Sequence, residues 1–197
     1  MPECPVVGRN VVDDYVAVGD NVAVTIDPAV RPEEATPPAA TDPGQGVVEG
    51  IFTAPGEGHP MEARDHVRAM AGVGLDGDRY ALRIGRYSAD PRVDRDVTLI
   101  EAEEIETLAA EADVVLAPGE SRRNVTTRGI RLNELVGRRF RIGDVVCEGT
   151  RLCEPCQYLT DLLGKPVLRP LVHRAGLRAR ILTDGTIALG DAVVAIP

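Results

Sequence analysis

The sequence predicts a mainly β protein of the α+β type, in which a mixed β-barrel carries a few short helices. Short runs of alternating apolar and polar residues, turn signals every several residues, and three or four helical segments support this prediction. A parallel doubly wound sheet is disfavoured, because strands and helices do not alternate regularly along the chain.

The C-terminal part of the chain holds the clearest strand signals. The run RFRIGDVVCEG places apolar side chains at alternate positions around a Gly-Asp turn. The run GLRARILTDGTIALGDAVVAI contains two more turns, at Asp184-Gly185 and Gly190-Asp191. Both runs are therefore predicted to form antiparallel strands.

Upstream segments predict further strands and helices. GVVEGIFTAP is predicted to be a strand that ends at Pro55-Gly56, and residues 97–100 are a β-branched strand that leads into a helix ending near Asp113. The stretch HPMEARDHVRAMAG is predicted to be a helix or a loop. Two more short helices are predicted, one after Pro155 and one around residues 168–174.

The chain is predicted to consist of an N-terminal extension, residues 1–46, and a main domain, residues 47–197. Within the extension, residues 16–26 resemble a short hairpin around Gly19-Asp20. Residues 28–46 are dense in proline, alanine, threonine and acidic residues, which indicates a linker.

Composition excludes two classes of protein. The net charge of −9 argues against a nucleic-acid binder, which neutralises phosphates with a basic surface. No window approaches the ~18 apolar residues of a membrane helix. The first residues lack the pattern of a secretory signal, so we expect a cytoplasmic protein with reduced cysteines and neither a nucleic-acid nor a membrane partner.

Cys153 and Cys156 form a Cys-x-x-Cys motif that allows several interpretations. Both thiols could be small packing residues. A zinc site would need further ligands, and no second Cys-x-x-Cys or paired His follows. A thioredoxin-like dithiol would lie in a β-α-β pattern, which is missing here.

The local sequence favours a further role for Cys156. Because Pro155 suits the first position of a helix, Cys156 is expected within the first turn, where free N–H groups stabilise a thiolate. Such a thiolate is a good nucleophile and a good ligand for a soft metal. Cys153 would then be a supporting or resolving thiol.

Arginines cluster at two places that could bind an anion. A polar loop contains Arg122, Arg123 and Asn124 beside threonine hydroxyls. Such groups recognise a phosphate or a polar heterocycle, although a solvated loop has the same composition. Arg178 and Arg180 alternate along a predicted strand and are expected to share one face.

The order of these motifs resembles the MOSC domain, the module found at the C-terminus of molybdenum cofactor sulfurases and in small stand-alone proteins. The resemblance runs from Val47 to the C-terminus and rests on GLDGDRY, RDVTLIEAEEIE, RRNVTTRGIRLNELVGRRFRIGDVVCEG, RLCEPCQYL and HRAGLRARILTDGTIALGDAVV. It implies a β-barrel-like fold. It also implies binding or sulfuration of the molybdenum cofactor (molybdopterin), or reduction of N-hydroxylated compounds with it.

The resemblance assigns Cys156 as the metal ligand or persulfide sulfur. Arg122, Arg123, Asn124, Arg178 and Arg180 are then candidates for holding the cofactor, and Cys153 for supporting Cys156. The implied partners are a cysteine desulfurase, an electron-transfer protein or a recipient molybdoenzyme. Sulfur carriage and molybdenum-dependent reduction both stay open. The alternatives are a non-catalytic adaptor domain for a phosphate-bearing metabolite and a Cys-x-x-Cys thiol redox protein.

Overall fold

Seven strands pair in a closed ring within the part of the chain that the structure, a computed structural model, describes: residues 44–89 and 94–196. The expected hairpin at residues 16–26 lies outside that part. The elements in chain order are β1 (Gln45–Thr53), β2 (Glu62–Ala63), β3 (His66–Met70), β4 (Gly74–Leu75), β5 (Val97–Glu101), α1 (Ala102–Ala112), β6 (Val125–Arg128), a 3-10 helix (Leu132–Leu135), β7 (Arg139–Ile142), β8 (Val145–Leu152), α2 (Gln157–Leu163), β9 (Leu177–Ile181), β10 (Gly185–Ala188) and β11 (Ala192–Ala195).

The barrel closes where the first described strand meets the last. The order around the ring is β1, β6, β5, β9, β8, β7 and β11, and β11 pairs back with β1 through Gln45–Val194, Gly46–Val193 and Val47–Ala192. The β5–β6 pair is parallel and the other pairs in the ring are antiparallel. The predicted mixed β-barrel with short helices is confirmed. Gln45 and Gly46, which the sequence placed in the linker, belong to its first strand.

Alternating apolar side chains fill the barrel. On β7, Phe140 and Ile142 are fully buried while Arg139 and Arg141 are exposed, as a two-residue period requires. All five residues of β5 are buried, because the barrel covers one face of this strand and other elements cover the second. A small sheet, in the order β10-β3-β4, packs against the barrel core through Val67 and Ile187.

A second apolar cluster joins the two α-helices. Leu108 of α1 and Leu159 of α2 belong to one buried cluster, together with Leu116, Val167 and Leu171 from the loops. The helix α1 ends at Asp113, which adopts the left-handed conformation (φ 54°) of a helix terminus, as the sequence predicts. The shared cluster fixes α2, and the cysteine loop before it, against the rest of the protein.

Two stretches for which the sequence predicted or allowed a helix have other structures. The stretch predicted as helix or loop forms β2 and β3, because Val67 and Ala69 alternate inward and β3 pairs with the distant β10. Residues 168–174 form successive turns instead of a helix. Pro170 explains this second difference, since it has no N–H to donate and its ring disfavours a helix interior.

The barrel seam makes the start of the domain testable. Removing residues 1–43 keeps every described strand, so we expect a cooperative thermal melt to persist. Removing residues 1–47 deletes all three paired positions of β1 with β11, so we expect the melting temperature to fall sharply or the transition to be lost. Calorimetry of both truncations checks this. Identical melts would show that β1–β11 pairing contributes little.

Gly176 lets two backbones approach closely. A Cβ at this position (φ 98°) would lie 1.8 Å from the carbonyl oxygen of Leu99. We expect Gly176→Ala to lower the free energy of unfolding by more than ~4 kcal/mol or to prevent folding. Gly164 is the control, because its φ is also positive (63°) but no atom lies within 4 Å. Gly164→Ala should cost about 1 kcal/mol by chemical denaturation; equal costs would contradict the steric argument.

Candidate functional site

The two cysteines of the motif lie in the loop between β8 and α2. Cys153 is 2% exposed, and its N–H donates to the carbonyl of Gly176 over 2.7 Å. Cys156 is half-buried and immediately precedes α2, with extended backbone (φ −140°, ψ 160°). The expectation that Pro155 begins the helix and Cys156 lies inside its first turn is wrong, since the helix begins at Gln157. Exposure, rather than a place in the helix, distinguishes Cys156 from Cys153.

A buried arginine holds the cysteine loop in place. The Arg123 guanidinium is 8% exposed and donates to the carbonyls of Cys153 (2.7 Å), Ala175 (2.7 Å) and Ser121 (3.2 Å). In the described part of the chain, no carboxylate lies within 4 Å of it. The cation is therefore satisfied by backbone dipoles, and its charge is left without a paired anion.

Asn124 lies behind the site and does not face it. Its side chain accepts hydrogen bonds from the N–H (3.2 Å) and hydroxyl (2.8 Å) of Thr98. It also donates to the carbonyl of Phe52 and to Asp78, both over 3.1 Å. Asp78 accepts further bonds from the N–H of Ala54 (3.2 Å) and from Arg79 (3.1 Å). This fully bonded cluster supports the wall from inside the protein.

Cationic side chains converge on a cleft beside Cys156. The cleft also includes Thr98 and Leu159 in its wall, and its arginines are Arg79, Arg86, Arg122, Arg123 and Arg178. Arg79 pairs with Asp78 and Arg86 with Glu57. The other three guanidiniums have no carboxylate within 4 Å among residues 44–89 and 94–196. The cleft thus offers three cations for an anionic ligand.

Two of these guanidiniums lack favourable partners: Arg122 is a partly buried cation close to another cation, and Arg178 has an unsatisfied hydrogen-bond donor within the described residues. Burial lowers the pKa of Arg122, and the nearby charge of Arg79 lowers it further. The Nε of Arg178 is buried, and within the described residues it has no hydrogen-bond partner. An anion bound in the cleft would relieve both, because it stabilises the charged form of Arg122 and supplies an acceptor to Arg178.

Arg180 does not reach the cleft, although it shares the outward face of β9 with Arg178. Its nearest carboxylate is that of Glu148, 3.9 Å away on β8. The register of β8 against β9 shifts between Gly149 and Arg151. This shift lies between the position paired with Arg180 and the position paired with Arg178. Such an irregularity increases local twist, so two residues on one strand face can point to different surroundings.

Three tyrosines line the cleft, and the sequence analysis did not single them out. They are Tyr80, Tyr87 and Tyr158, three of the chain's four tyrosines. The hydroxyl of Tyr87 lies 3.9 Å from the Cys156 sulfur. Burial, and secondarily the neighbouring Cys156, raise the pKa of Tyr87, so its hydroxyl keeps its proton at neutral pH. The signal that could have revealed them is the Arg-Tyr pair, which occurs twice in a chain with few aromatic residues.

Two further features of the described residues bear on the site. Burial, with a smaller effect of Asp96, raises the pKa of the Cys147 thiol to about 12, so Cys147 is an inert packing residue. No group of three or more His, Cys, Asp or Glu side chains in the described chain could hold a metal ion.

A second concavity lies on the small sheet. It is larger than the Cys156 cleft, about 790 Å³ against about 70 Å³, and its lining includes Arg68, Asp76 and Asp184. It is wide open, and cations and carboxylates are mixed along its lining, which contains no cysteine. Of these two concavities, the smaller one is lined by cysteine thiols and by guanidiniums without carboxylate partners in the described chain.

Comparison with known proteins identifies the family. A sequence profile of the MOSC domain matches residues 71–194, a span that contains both cysteines and the arginines of the cleft. The chain belongs to the MOSC domain family. The β1 strand that closes the barrel lies before the matched segment of this MOSC domain. A comparison with curated protein sequences finds no match.

Solved structures share the fold of this MOSC protein at low sequence identity. The YuaD protein from Bacillus subtilis is 18% identical, with a TM-score of 0.64 over 76% of this chain and 94% of YuaD. YiiM from Escherichia coli is 16% identical, with a TM-score of 0.56 over 77% and 70% of the two chains. YiiM from Geobacillus stearothermophilus is 15% identical, with a TM-score of 0.57 over 77% and 75%.

Among the described helices of this MOSC protein, none is long and apolar enough to cross a membrane.

The exposure of the thiols leads to a labelling prediction. At neutral pH we expect iodoacetamide to modify Cys156 at least about tenfold faster than Cys153 or Cys147, because a buried thiol reacts only after local opening. Peptide mapping by mass spectrometry assigns each label. Comparable rates at Cys153 and Cys156 in the folded protein would remove the distinction between them.

Proposed function

We propose that this protein binds the molybdenum cofactor in the Cys156 cleft, with the Cys156 sulfur facing the metal. The observation that carries the proposal is the convergence of three guanidiniums without carboxylate partners in the described chain on one half-exposed thiol. The cofactor has a phosphate and a polar pterin, so its site needs cationic donors at some distance from a single sulfur ligand. Membership of the MOSC family supports the same assignment.

The donors of the cleft fit the chemistry of this group. Arg178 has a buried Nε that lacks an acceptor among the described residues, and Arg122 is a desolvated cation beside Arg79. Both are suited to a phosphate or to the acceptor edge of a pterin. One thiol is a sparse ligand set for a bare metal ion but suits a metal that arrives with its own organic sulfur ligands. Arg180 and Asn124, expected from the sequence to bind the cofactor, would act at most from outside the cleft.

Each residue of the site has a separate task. When bound, the cofactor supplies a redox-active metal. Arg122 and Arg178 bind and orient its anionic and polar edges, and Arg123 holds the cysteine loop through the Cys153 carbonyl. The Tyr87 hydroxyl, 3.9 Å from the Cys156 sulfur, donates a weak hydrogen bond to it.

The geometry favours Cys156 as a metal ligand over Cys156 as a sulfur carrier. A carrier persulfide has to be handed to a partner protein, whereas this thiol is half-buried and in contact with the Tyr87 hydroxyl. We therefore propose molybdenum-dependent reduction, with N-hydroxylated compounds as the substrate class that the MOSC resemblance implies and an electron-transfer protein as partner. The buried position of Cys153 does not favour its role as a resolving thiol.

Two neighbouring arginines provide a matched test of cofactor binding. We expect Arg178→Gln to weaken binding of the cofactor at least about tenfold, because a charge-assisted hydrogen bond is worth roughly 1.5–3 kcal/mol. Arg180→Gln, on the same strand face but outside the cleft, should leave binding unchanged. Molybdenum and pterin contents of the purified variants check this. Equal effects of the two changes would contradict the placement of the cofactor.

Companion measurements separate the alternatives. Cyanide-labile sulfur on Cys156 in a protein without molybdenum would indicate a sulfur carrier rather than a reductase. A phosphate-binding adaptor predicts that Cys156→Ser leaves every ligand affinity intact. Loss of reductase activity in Cys156→Ser, with pterin retained, is the result expected here.

A further inference from the structure

Two consecutive residues, Arg86 and Tyr87, line the Cys156 cleft and contact other side chains of its lining. The volume of the cleft is about 70 Å³, whereas a site for a small molecule has roughly 300–1,000 Å³. The molybdenum cofactor proposed above does not fit into such a space. Some part of the cleft wall must therefore move before that ligand binds.

The contacts at the mouth show which part is held least firmly. The Arg86 guanidinium stacks on the ring of Tyr158 at 4.5 Å, and its Nη1 lies 2.9 Å from a carboxylate oxygen of Glu57. The Tyr87 hydroxyl contacts the Cys156 sulfur at 3.9 Å. Arg86 and Glu57 are 49% and 42% exposed, and exposed ion pairs contribute little to stability. These contacts break at little cost.

The backbone that carries these residues is anchored on both sides. The carbonyl of Tyr87 accepts a hydrogen bond from Arg95 over 2.6 Å. The N–H of Gly85 lies within bonding distance of the Arg79 carbonyl (3.1 Å) and of the Ser88 hydroxyl (2.9 Å). Motion of the two side chains therefore does not require the segment to unfold.

We propose that Arg86 and Tyr87 form a gate over Cys156 and determine the size of the molecules that reach its sulfur. In the closed gate, Arg86 rests on Tyr158 and Tyr87 covers the thiol. Opening exposes the sulfur together with the guanidiniums behind it. The gate is argued from the contacts of Arg86 and Tyr87, and only its role in admitting the cofactor rests on the proposed function.

The gate predicts how labelling of Cys156 depends on reagent size. N-ethylmaleimide and pyrenyl maleimide share one reactive group and carry no charge, but they differ in bulk. We expect Tyr87→Ala to raise the rate with pyrenyl maleimide about tenfold and the rate with N-ethylmaleimide about threefold or less, since labelling of a covered group follows the population of open states. Arg86→Ala should shift the ratio of the two rates in the same direction by a smaller factor.

Two further variants separate the gate from other effects. Tyr87→Phe keeps the ring but removes the hydroxyl that contacts the sulfur, so the ratio should shift in the same direction as in Tyr87→Ala but by a smaller factor. Tyr80→Ala removes another ring from the same cleft, one that packs near Arg79 instead of covering the thiol, and it should leave the ratio unchanged. Circular dichroism melts verify that each variant is folded; Tyr87 is 37% exposed, so its removal should be tolerated.

The outcomes bear on the gate and on the proposed function separately. An unchanged ratio in folded Tyr87→Ala would overturn the gate, whatever the protein binds. The same result in Tyr80→Ala as in Tyr87→Ala would also overturn it, because the effect would then be general loosening. The expected ratios in a protein that binds neither molybdenum nor pterin would support the gate and refute the cofactor assignment.

Discussion

The hydrogen bonds of the buried Arg123 guanidinium are the interaction on which the site depends. This one side chain joins its own loop, through Ser121, to the cysteine loop and to the chain before β9, through Cys153 and Ala175. None of these loops could keep its place by apolar packing alone, because their carbonyls need donors. A neutral side chain would leave several buried acceptors unpaired. The same choice leaves a positive charge without a carboxylate partner in the described chain at the back of the cleft.

Two apolar cores hold the remaining elements of the site in place. The barrel core fixes β5, β6 and β9, which carry Thr98, the Asn124 cluster and Arg178 into one wall. The second core, between α1 and α2, fixes the opposite side, where Cys156 packs against Leu159 and its neighbours. The gate residues belong to neither core. Rigid walls with a weakly held cover suit a site that must recognise a ligand and also admit it.

Local sequence pattern predicted the elements whose partners are close along the chain. The β7–β8 hairpin and the strand and helix around Asp113 followed from alternation and turn residues, because each signal lies within a few positions. The strand β3 was missed, since its alanine, methionine and acidic neighbours favour a helix while its pairing partner is β10, more than a hundred residues away. For the site, residue types alone identified Cys156 and the arginines as candidates, but they did not show which way each side chain points. Whether Asn124 faces inward, or Arg180 follows Arg178 into the cleft, depends on strand register and twist that no local pattern records.

The seam between β1 and β11 also determines how the barrel responds to tension. These strands are antiparallel, so Gln45 at the start of one lies beside Val194 near the end of the other. A force that pulls the start of β1 away from the end of β11 therefore breaks the hydrogen bonds between these strands one after another. It does not load them all at once. The β1–β11 pairing is therefore the part of the closed ring that separates most easily under a pulling force. An unfolding machine that pulls on either end of this domain would first separate β1 from β11.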